Sequence, residues 1–267
     1  MTIAAIDFAR LYRDHMALSG KPKPNSAWDA RAASMNRQVN RGRYVDEFIS
    51  RMNLSDARTL LDVGCGPGTL CLPLAARFER VIALDYSQGM LDELKKNVAA
   101  QGITNIEPLH LAWEDDWSKV PECDIVIASR STMVQDLGDA LAKLNAKAKQ
   151  RVYLTYLVGG NLINTRIFEA IGHEPTPAPD YIYALNILHR RGIHPRLDYI
   201  EDEGPLSGIT DFDELLQRLI WSLGELNAYE RASLHTWFDA AMASGGLKTA
   251  RRWAFIFWEK QIANYPC

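Results

Sequence analysis

Three alternating glycines, Gly64, Gly66 and Gly68, lie in the segment DVGCGPGT. Glycine lets a ligand approach the backbone closely and adopts positive φ angles at little cost. The glycines follow the apolar run Thr59–Val63, which is typical of a buried parallel strand. We expect a helix after them to offer unpaired N–H groups and its dipole to a ligand. The pattern predicts a ligand-binding loop, with a tight turn that holds no ligand as the alternative.

Asp85 is a second candidate, because it closes the next apolar run, residues 81–84. A carboxylate at the end of the second strand can accept hydrogen bonds from both hydroxyls of an adenosine ribose. The alternative is a helix-capping aspartate, since Ser87 can start the next helix. The glycine spacing is Gly-x-Gly-x-Gly and not the dinucleotide pattern Gly-x-Gly-x-x-Gly, which disfavours a nicotinamide oxidoreductase.

Alternating strand and helix patterns surround these residues. We expect strands at residues 59–63, 81–84, 106–111, 124–128, 151–158, 196–201 and 253–258. Apolar stripes at helical spacing lie between the earlier strands, and such alternation implies right-handed crossovers. The predicted fold is α/β: a doubly wound, mostly parallel seven-stranded sheet with helices on both faces.

Three regions are expected along the chain. Residues 1–53 are predicted to form a helical lid in two pieces, joined through the Pro/Gly/Lys-rich residues 20–25. Residues 54–160 are predicted to form the ligand-binding core, and residues 161–267 the remainder of the sheet with a helical insertion on the substrate side. For residues 1–53, packing against the back of the sheet is the alternative.

The glycine loop and Asp85 together resemble the class I (Rossmann-like) S-adenosylmethionine-dependent methyltransferases, over roughly residues 58–158. The segment LLDVGCGPGTL is similar to the family's glycine-rich motif, and ALDYSQGML is similar to its acidic motif. The resemblance implies an enzyme that transfers a methyl group by in-line displacement. Its cofactor would be S-adenosyl-L-methionine and its product S-adenosyl-L-homocysteine.

The resemblance also implies cofactor contacts, residue by residue. The glycine loop would lie on the methionine portion, Asp85 on the ribose, and the residues after the second and third strands along the adenine. A backbone carbonyl after the fourth strand would hold the ammonium group. The residues expected to contact the cofactor are Gly64, Cys65, Gly66, Gly68, Asp85, Tyr86, Met90, Trp113, Glu114 and Ser129.

No catalytic residue can be named from the sequence. A sulfonium methyl group is already activated, so the protein mainly orients the acceptor and excludes water. A general base is needed only where the acceptor must lose a proton. Candidates for a base, each with a surface or packing role as the alternative, are His110, His173, His189, His194, Tyr156 and Glu174.

Composition and charge bear on the partners. The formal net charge of −3 disfavours general nucleic-acid binding. A signal peptide and a run of about 20 apolar residues are both missing, so we expect a cytoplasmic protein without membrane contact. The four cysteines lack the spacing of a zinc site, so no metal is expected.

The segment WDARA, which starts at Trp28, is similar to the N-terminal lid of many small-molecule methyltransferases. We therefore expect a small-molecule acceptor. The alternatives are a macromolecule methyltransferase, acting on RNA or protein, and a non-catalytic S-adenosylmethionine-binding module. The sequence leaves a homodimer open.

Overall fold

The sheet follows the predicted plan. The computed structural model describes residues 2–19, 23–37, 43–160 and 163–260. Within these ranges lie the strands β1 (Thr59–Val63), β2 (Arg80–Asp85), β3 (Ile106–His110), β4 (Cys123–Ser129), β5 (Ala148–Leu157), β6 (Arg196–Glu203) and β7 (Ala250–Glu259). They form one seven-stranded sheet in the order β3-β2-β1-β4-β5-β7-β6. Strand β7 is antiparallel to both of its neighbours and the other pairs are parallel, which confirms a mostly parallel sheet.

Helices cover both faces of this sheet, as predicted. The described helices are α1 (Phe8–Ser19), α2 (Asn25–Asn36), α3 (Arg43–Ser50), α4 (Cys71–Leu74), α5 (Gln88–Gln101), α6 (Leu137–Lys147), α7 (Thr165–Ala170), α8 (Ile182–Arg190), α9 (Phe212–Leu223) and α10 (Ala228–Ala243). Helices α1, α6 and α8 bury their apolar residues on one face. Helices α3, α4 and α5 do so on the other. Among these described helices, none is long and apolar enough to cross a membrane.

The N-terminal region differs from the prediction of two helical pieces, which is wrong. Its described part contains three α-helices, and α3 packs flat on the sheet, where the Phe48 ring lies 5.1 Å from the Phe255 ring. Residues 20–22 of the expected connection and residues 38–42 lie outside the described residues. The sequence between α2 and α3 contains Asn40 and Gly42, which are weak helix formers. Helix α3 therefore belongs to the packing of the sheet, whereas α2 packs on α5.

The helix after the glycine loop is short. Helix α4 has four residues and is followed by one 3-10 turn, Ala75–Arg77. Pro73 lies within α4 and has no N–H to donate. So short a helix has little dipole to offer a ligand. The long helix of this region is α5, which starts after β2 with Ser87 as its N-cap.

The helical insertion stands on the carboxyl edge of the parallel strands. The chain leaves β5 and β6 at that edge and enters the antiparallel β7 from it, so α7, α9 and α10 must lie there. These helices build a third apolar core, with Ile167, Leu219 and Leu234 fully or almost fully buried. The carboxyl edge is therefore bordered by the glycine loop below and by a separately packed helical unit above.

Candidate functional site

Each of the three glycines of the loop is needed for a different structural reason. All have positive φ, at 70° for Gly64, 56° for Gly66 and 105° for Gly68. A Cβ on Gly64 would lie 2.3 Å from the Cβ of Ser131, and one on Gly68 would lie 2.6 Å from Leu72. A Cβ on Gly66 would meet no atom within 4 Å. The first and third glycines thus allow close packing, and Gly66 borders the free space that a ligand could fill.

Asp85 ties this loop to the start of α5. Its side chain is 5% exposed, with Oδ2 accepting from the Gly66 N–H at 2.8 Å and Oδ1 from the Ser87 N–H at 2.9 Å. Burial raises the pKa of this carboxyl. A carboxylate has about four acceptor sites, so these bonds leave capacity for a ligand hydroxyl. The structure therefore shows Asp85 capping the N–H group of Ser87 at the start of α5, and its binding of ribose hydroxyls stays a prediction.

Asp62 lies in β1 and is the first residue of the glycine motif. It is a functional candidate to which the sequence analysis gave no role. It is 2% exposed, and its Oδ2 has no hydrogen-bond partner. Burial, and then the nearby charge of Asp85, raise the pKa of Asp62 from 3.8 to about 7. A buried carboxylate with an unused oxygen is suited to a ligand with positive charge. The signal that could have found it is the acidic residue opening the motif.

Cys65 turns away from the free space. Its thiol is buried in the core on the α5 face and donates to the carbonyl of Gly66 at 3.5 Å. Burial raises the pKa of the Cys65 thiol well above its ordinary value, so the group is no nucleophile. The Met90 side chain is similarly buried, at 3% exposure, and the cofactor contacts of Cys65 and Met90 stay predictions.

The residues predicted for the adenine lie together beside β2 and β3. The Tyr86 hydroxyl donates to the carbonyl of Lys23 at 3.0 Å, and burial, then the charges of Asp85 and Glu114, raise its pKa to about 12. The Trp113 indole N–H donates to the carbonyl of Ser131, the residue that packs on Gly64. Tyr86, Trp113 and Glu114 are thus brought to one edge, and their contact with adenine stays a prediction.

Helix α2 spans from this edge to the helical insertion. Asp29 Oδ1 accepts from the Ser87 hydroxyl at 2.5 Å and from the Gly89 N–H at 2.9 Å, so α2 is fixed to the start of α5. Trp28, on the same helix, packs edge-on against Trp221 of α9 at 5.4 Å between ring centroids. Helix α2 and the insertion therefore meet across the carboxyl edge, and we name this contact the roof.

A polar cluster occupies the carboxyl ends of β4 and β5. The Tyr44 hydroxyl lies 2.7 Å from both Ser129 Oγ and Thr155 Oγ1. Ser129 thus directs its side chain to Tyr44, and the ammonium contact predicted for its backbone carbonyl stays a prediction. Arg130 follows with a positive φ of 57°, unusual for a residue with a side chain, and its guanidinium lies 4.3 Å from the Tyr44 ring.

Most of the candidate bases are displaced from this edge or buried. Tyr156 is 1% exposed and burial raises its pKa, so it is unsuited to accept a proton from an acceptor. His189 lies in the last turn of α8 and His194 just before β6, at the opposite edge of the sheet. His173 pairs with Glu230 on the insertion at 2.8 Å, and the neighbouring Glu174 is exposed.

His110 is the one candidate that ends a strand beside Asp85. Its Nε2 lies 3.0 Å from the carbonyl of Tyr86, and the side chain is exposed. That contact engages one ring nitrogen and leaves the other for solvent or a ligand. No base is assigned on this geometry.

The strand order, the antiparallel β7, the open loop at Gly66 and the acidic residues Asp62 and Asp85 together define a class. A family model described as a methyltransferase domain matches residues 60–150. The chain therefore belongs to the class I S-adenosylmethionine-dependent methyltransferases and is an enzyme of that class, with S-adenosylmethionine as its cofactor. The free space at Gly66 and the unpartnered oxygen of Asp62 fit such a cofactor.

Individual relatives support this assignment to different extents. An uncharacterized protein of Haemophilus influenzae is 39% identical over 263 residues, 97% of this chain and 98% of that protein. Trans-aconitate 2-methyltransferase of Mycolicibacterium gilvum is 24% identical over 138 residues, 51% of this chain and 49% of that enzyme. The structure of coclaurine N-methyltransferase bound to N-methylheliamine and S-adenosylhomocysteine has a TM-score of 0.51 at 15% identity, covering 97% of this chain and 96% of that one. The last similarity concerns the fold alone.

Proposed function

We propose that this protein transfers a methyl group from S-adenosylmethionine to a small-molecule acceptor, held between the carboxyl ends of β4 and β5 and the roof. The observation that carries the proposal is the contact of Trp28 with Trp221, because it covers this edge with helices from two separate regions. A covered crevice suits a small acceptor better than a polymer. Trans-aconitate 2-methyltransferase, to which the chain is similar across 49% of that enzyme's length, is named for such an acceptor.

The chain's own residues would bind, orient and exclude water. The backbone at Gly66 and the carboxylate of Asp85 would hold the cofactor at β1 and β2, and Asp62 would face its positive charge. When bound, the cofactor supplies a sulfonium methyl group: an acceptor lone pair forms the new bond, the C–S bond breaks, and its electron pair remains on sulfur. Helix α2 and the insertion would exclude water from this transfer.

Isotope transfer from labelled cofactor tests the acceptor class. The protein is incubated with S-adenosylmethionine carrying a deuterated methyl group and a cell extract separated by ultrafiltration into low-mass and high-mass fractions. We expect label in one or more low-mass compounds, as detected by mass spectrometry. A parallel reaction with Gly66→Val, in which the added side chain fills the free space, is the control and should transfer none.

Two other results would contradict the proposal. Label in RNA or protein of the high-mass fraction would indicate a macromolecule methyltransferase. Cofactor binding by calorimetry without transfer to either fraction would indicate a non-catalytic binding module.

A further inference from the structure

Arg130 is a cation at the acceptor side with no acidic partner. Within the described residues its guanidinium forms no ion pair, and its observed contact is the face of Tyr44 at 4.3 Å. The Arg130 side chain is exposed. Its backbone N–H donates to Thr155 Oγ1 at 3.0 Å, and its backbone adopts the left-handed conformation. A left-handed arginine is strained, and such strain clusters at functional sites. The backbone of Arg130 is thus fixed to β5, and its guanidinium lies over the Tyr44 ring.

A second arginine approaches the same place from β7. Arg251 pairs with Asp202 at 2.8 Å, and both side chains are largely buried, at 20% and 14% exposure. The guanidinium of Arg251 lies 5.8 Å from the Trp253 ring, which in turn lies 6.1 Å from the Tyr44 ring. Burial lowers the pKa of Arg251, and the charge of Arg130 acts in the same direction.

The charges of this cluster do not cancel. Arg251 pairs with the carboxylate of Asp202, and within the described residues no acidic side chain pairs with Arg130, so one positive charge is left over. The rings of Tyr44 and Trp253 are 3% and 6% exposed and form an apolar floor between the two cations. A guanidinium presents a planar set of N–H donors that matches the two oxygens of a carboxylate.

We propose that Arg130, supported by Arg251, binds a carboxylate of the methyl acceptor, so that the acceptor is a small organic acid. The inference rests on the proposed function and adds the acceptor's chemical class. Arg130 is then a specificity-determining residue, because an uncharged analogue would leave its guanidinium unpaired.

Position separates Arg251 from the predicted cofactor residues, whereas Arg130 directly follows one of them, Ser129 at the end of β4. Arg251 starts from β7, three strands from β1 or about 14 Å away, so a partner held by both arginines lies on the β5–β7 side of the edge. A nucleic-acid backbone is a poor match, because such binding uses several exposed cations along a surface. Here one unpaired guanidinium lies over buried rings.

Calorimetry on the S-adenosylhomocysteine complex tests the inference. The probes are benzoate, succinate and 3-phenylpropionate, each compared with its amide. We expect at least one acid to bind while its amide does not, and Arg130→Asn to weaken that acid about tenfold to a hundredfold, as for a lost charged hydrogen bond. Asparagine is chosen because it tolerates the left-handed backbone. Arg130→Lys should fall between, since it keeps the charge and loses the planar donors.

Arg252→Gln is the matched control. Arg252 neighbours Arg251 on β7, is paired with Glu201 at 2.6 Å and points to the other face. The control should bind the acid like the wild type. Circular dichroism and affinity for S-adenosylhomocysteine should be unchanged in every variant.

Each contrary result has a definite meaning. Acids that fail to bind the wild type, or bind Arg130→Asn equally well, overturn the inference and leave the proposed function standing. Weaker S-adenosylhomocysteine binding by Arg130→Asn would assign the arginine to the cofactor instead. Tighter binding of phenyl phosphate than of every acid would replace carboxylate by phosphate. Preferential binding of a short RNA would contradict both proposals.

Discussion

The two halves of the carboxyl edge differ in the groups that form them: backbone groups in one half and side chains in the other. On the β1–β2 side, the site consists of backbone: a loop of alternating glycines, closed by Asp85 through the N–H groups of Gly66 and Ser87. On the β4–β7 side, it consists of side chains brought together from distant parts of the chain, with Tyr44 and Arg130 as examples. In the function proposed above, the first half binds the cofactor and the second faces the acceptor.

The difference explains which substitutions each half tolerates. A backbone site requires the absence of a side chain, so its glycines are constrained by space and by φ. A side-chain site can change its chemistry by single substitutions without altering the strands beneath it. We therefore expect the largest effects at the glycines and smaller ones at the contacts between side chains.

The strongest test of the backbone half is Gly66→Val. The added side chain would occupy the free space at the loop, so binding of S-adenosylmethionine and S-adenosylhomocysteine should be abolished. Calorimetry measures this, with NAD as a comparison ligand that should bind neither form. The control is Gly102→Val, at the end of α5, where φ is also positive at 64° and space is also open. Normal cofactor binding by folded Gly66→Val would show that the loop faces away from the ligand.

Gly64→Ala should instead damage the fold. Its Cβ would overlap Ser131, and the residue has a positive φ, so we expect a loss of roughly 2–5 kcal/mol in the free energy of unfolding. Urea denaturation measures it. Gly102→Ala is again matched, because it keeps the unfavourable φ without the overlap and should lose only about 1–2 kcal/mol. Equal losses in the two variants would mean that Ser131 moves aside freely.

The pH dependence of stability should reveal Asp62. Its pKa is about 7 in the folded protein against 3.8 as a free group, so between these values the folded state holds a proton that the unfolded state has lost. Stability from this group is therefore lost as the pH rises from about 4 to 7, by roughly 2–4 kcal/mol. Relative to wild type, Asp62→Asn should gain stability across that window in denaturation at several pH values.

Glu107→Gln is the control, because the contribution of Glu107 to stability should depend on pH in the opposite direction. The hydrogen bond from Arg80 lowers the pKa of Glu107, so its contribution to stability is lost as the pH falls. A difference between wild type and Asp62→Asn that stays constant from pH 4 to 8 would contradict the raised pKa.

Asp85→Ala should weaken cofactor binding by about 1.5–3 kcal/mol, as for a hydrogen bond to a charged group. It also removes the acceptor for two backbone N–H groups, so the melting temperature should fall. Asp92 is exposed on α5, so Asp92→Ala is the control and should leave cofactor binding unchanged. Wild-type affinity in folded Asp85→Ala would show that the ribose contact is misassigned.

The roof should give the smallest effect. A double-mutant cycle of Trp28→Ala and Trp221→Ala should give a coupling of about 0.5–1.5 kcal/mol in unfolding, typical of an aromatic pair. Hydrogen exchange should show added protection in α2 when S-adenosylhomocysteine binds, if residues 1–53 act as a lid. Additive single effects and unchanged exchange would reduce α2 to a static covering.

The backbone half could be predicted because its signal is local. Gly66, Asp85 and Ser87 contact one another within residues 66–87, and β1 was predicted at its observed bounds. The pairing of Tyr44 with Thr155 joins residues 111 positions apart, which no sequence period records. The shortness of α4 also limits what its dipole can offer, which the glycine pattern alone does not indicate.

The position of β7 has a consequence for the order in which the protein can form. Strand β6 has β7 as its neighbour in the sheet and is separated by it from β5. A nascent chain that has not yet emerged as far as residue 250 therefore leaves β6 without a partner and the edge of β5 unpaired. Unpaired edges are templates for aggregation. Completion of the sheet thus waits for the last strand, and a chaperone that shields β5 during synthesis would protect its most vulnerable intermediate.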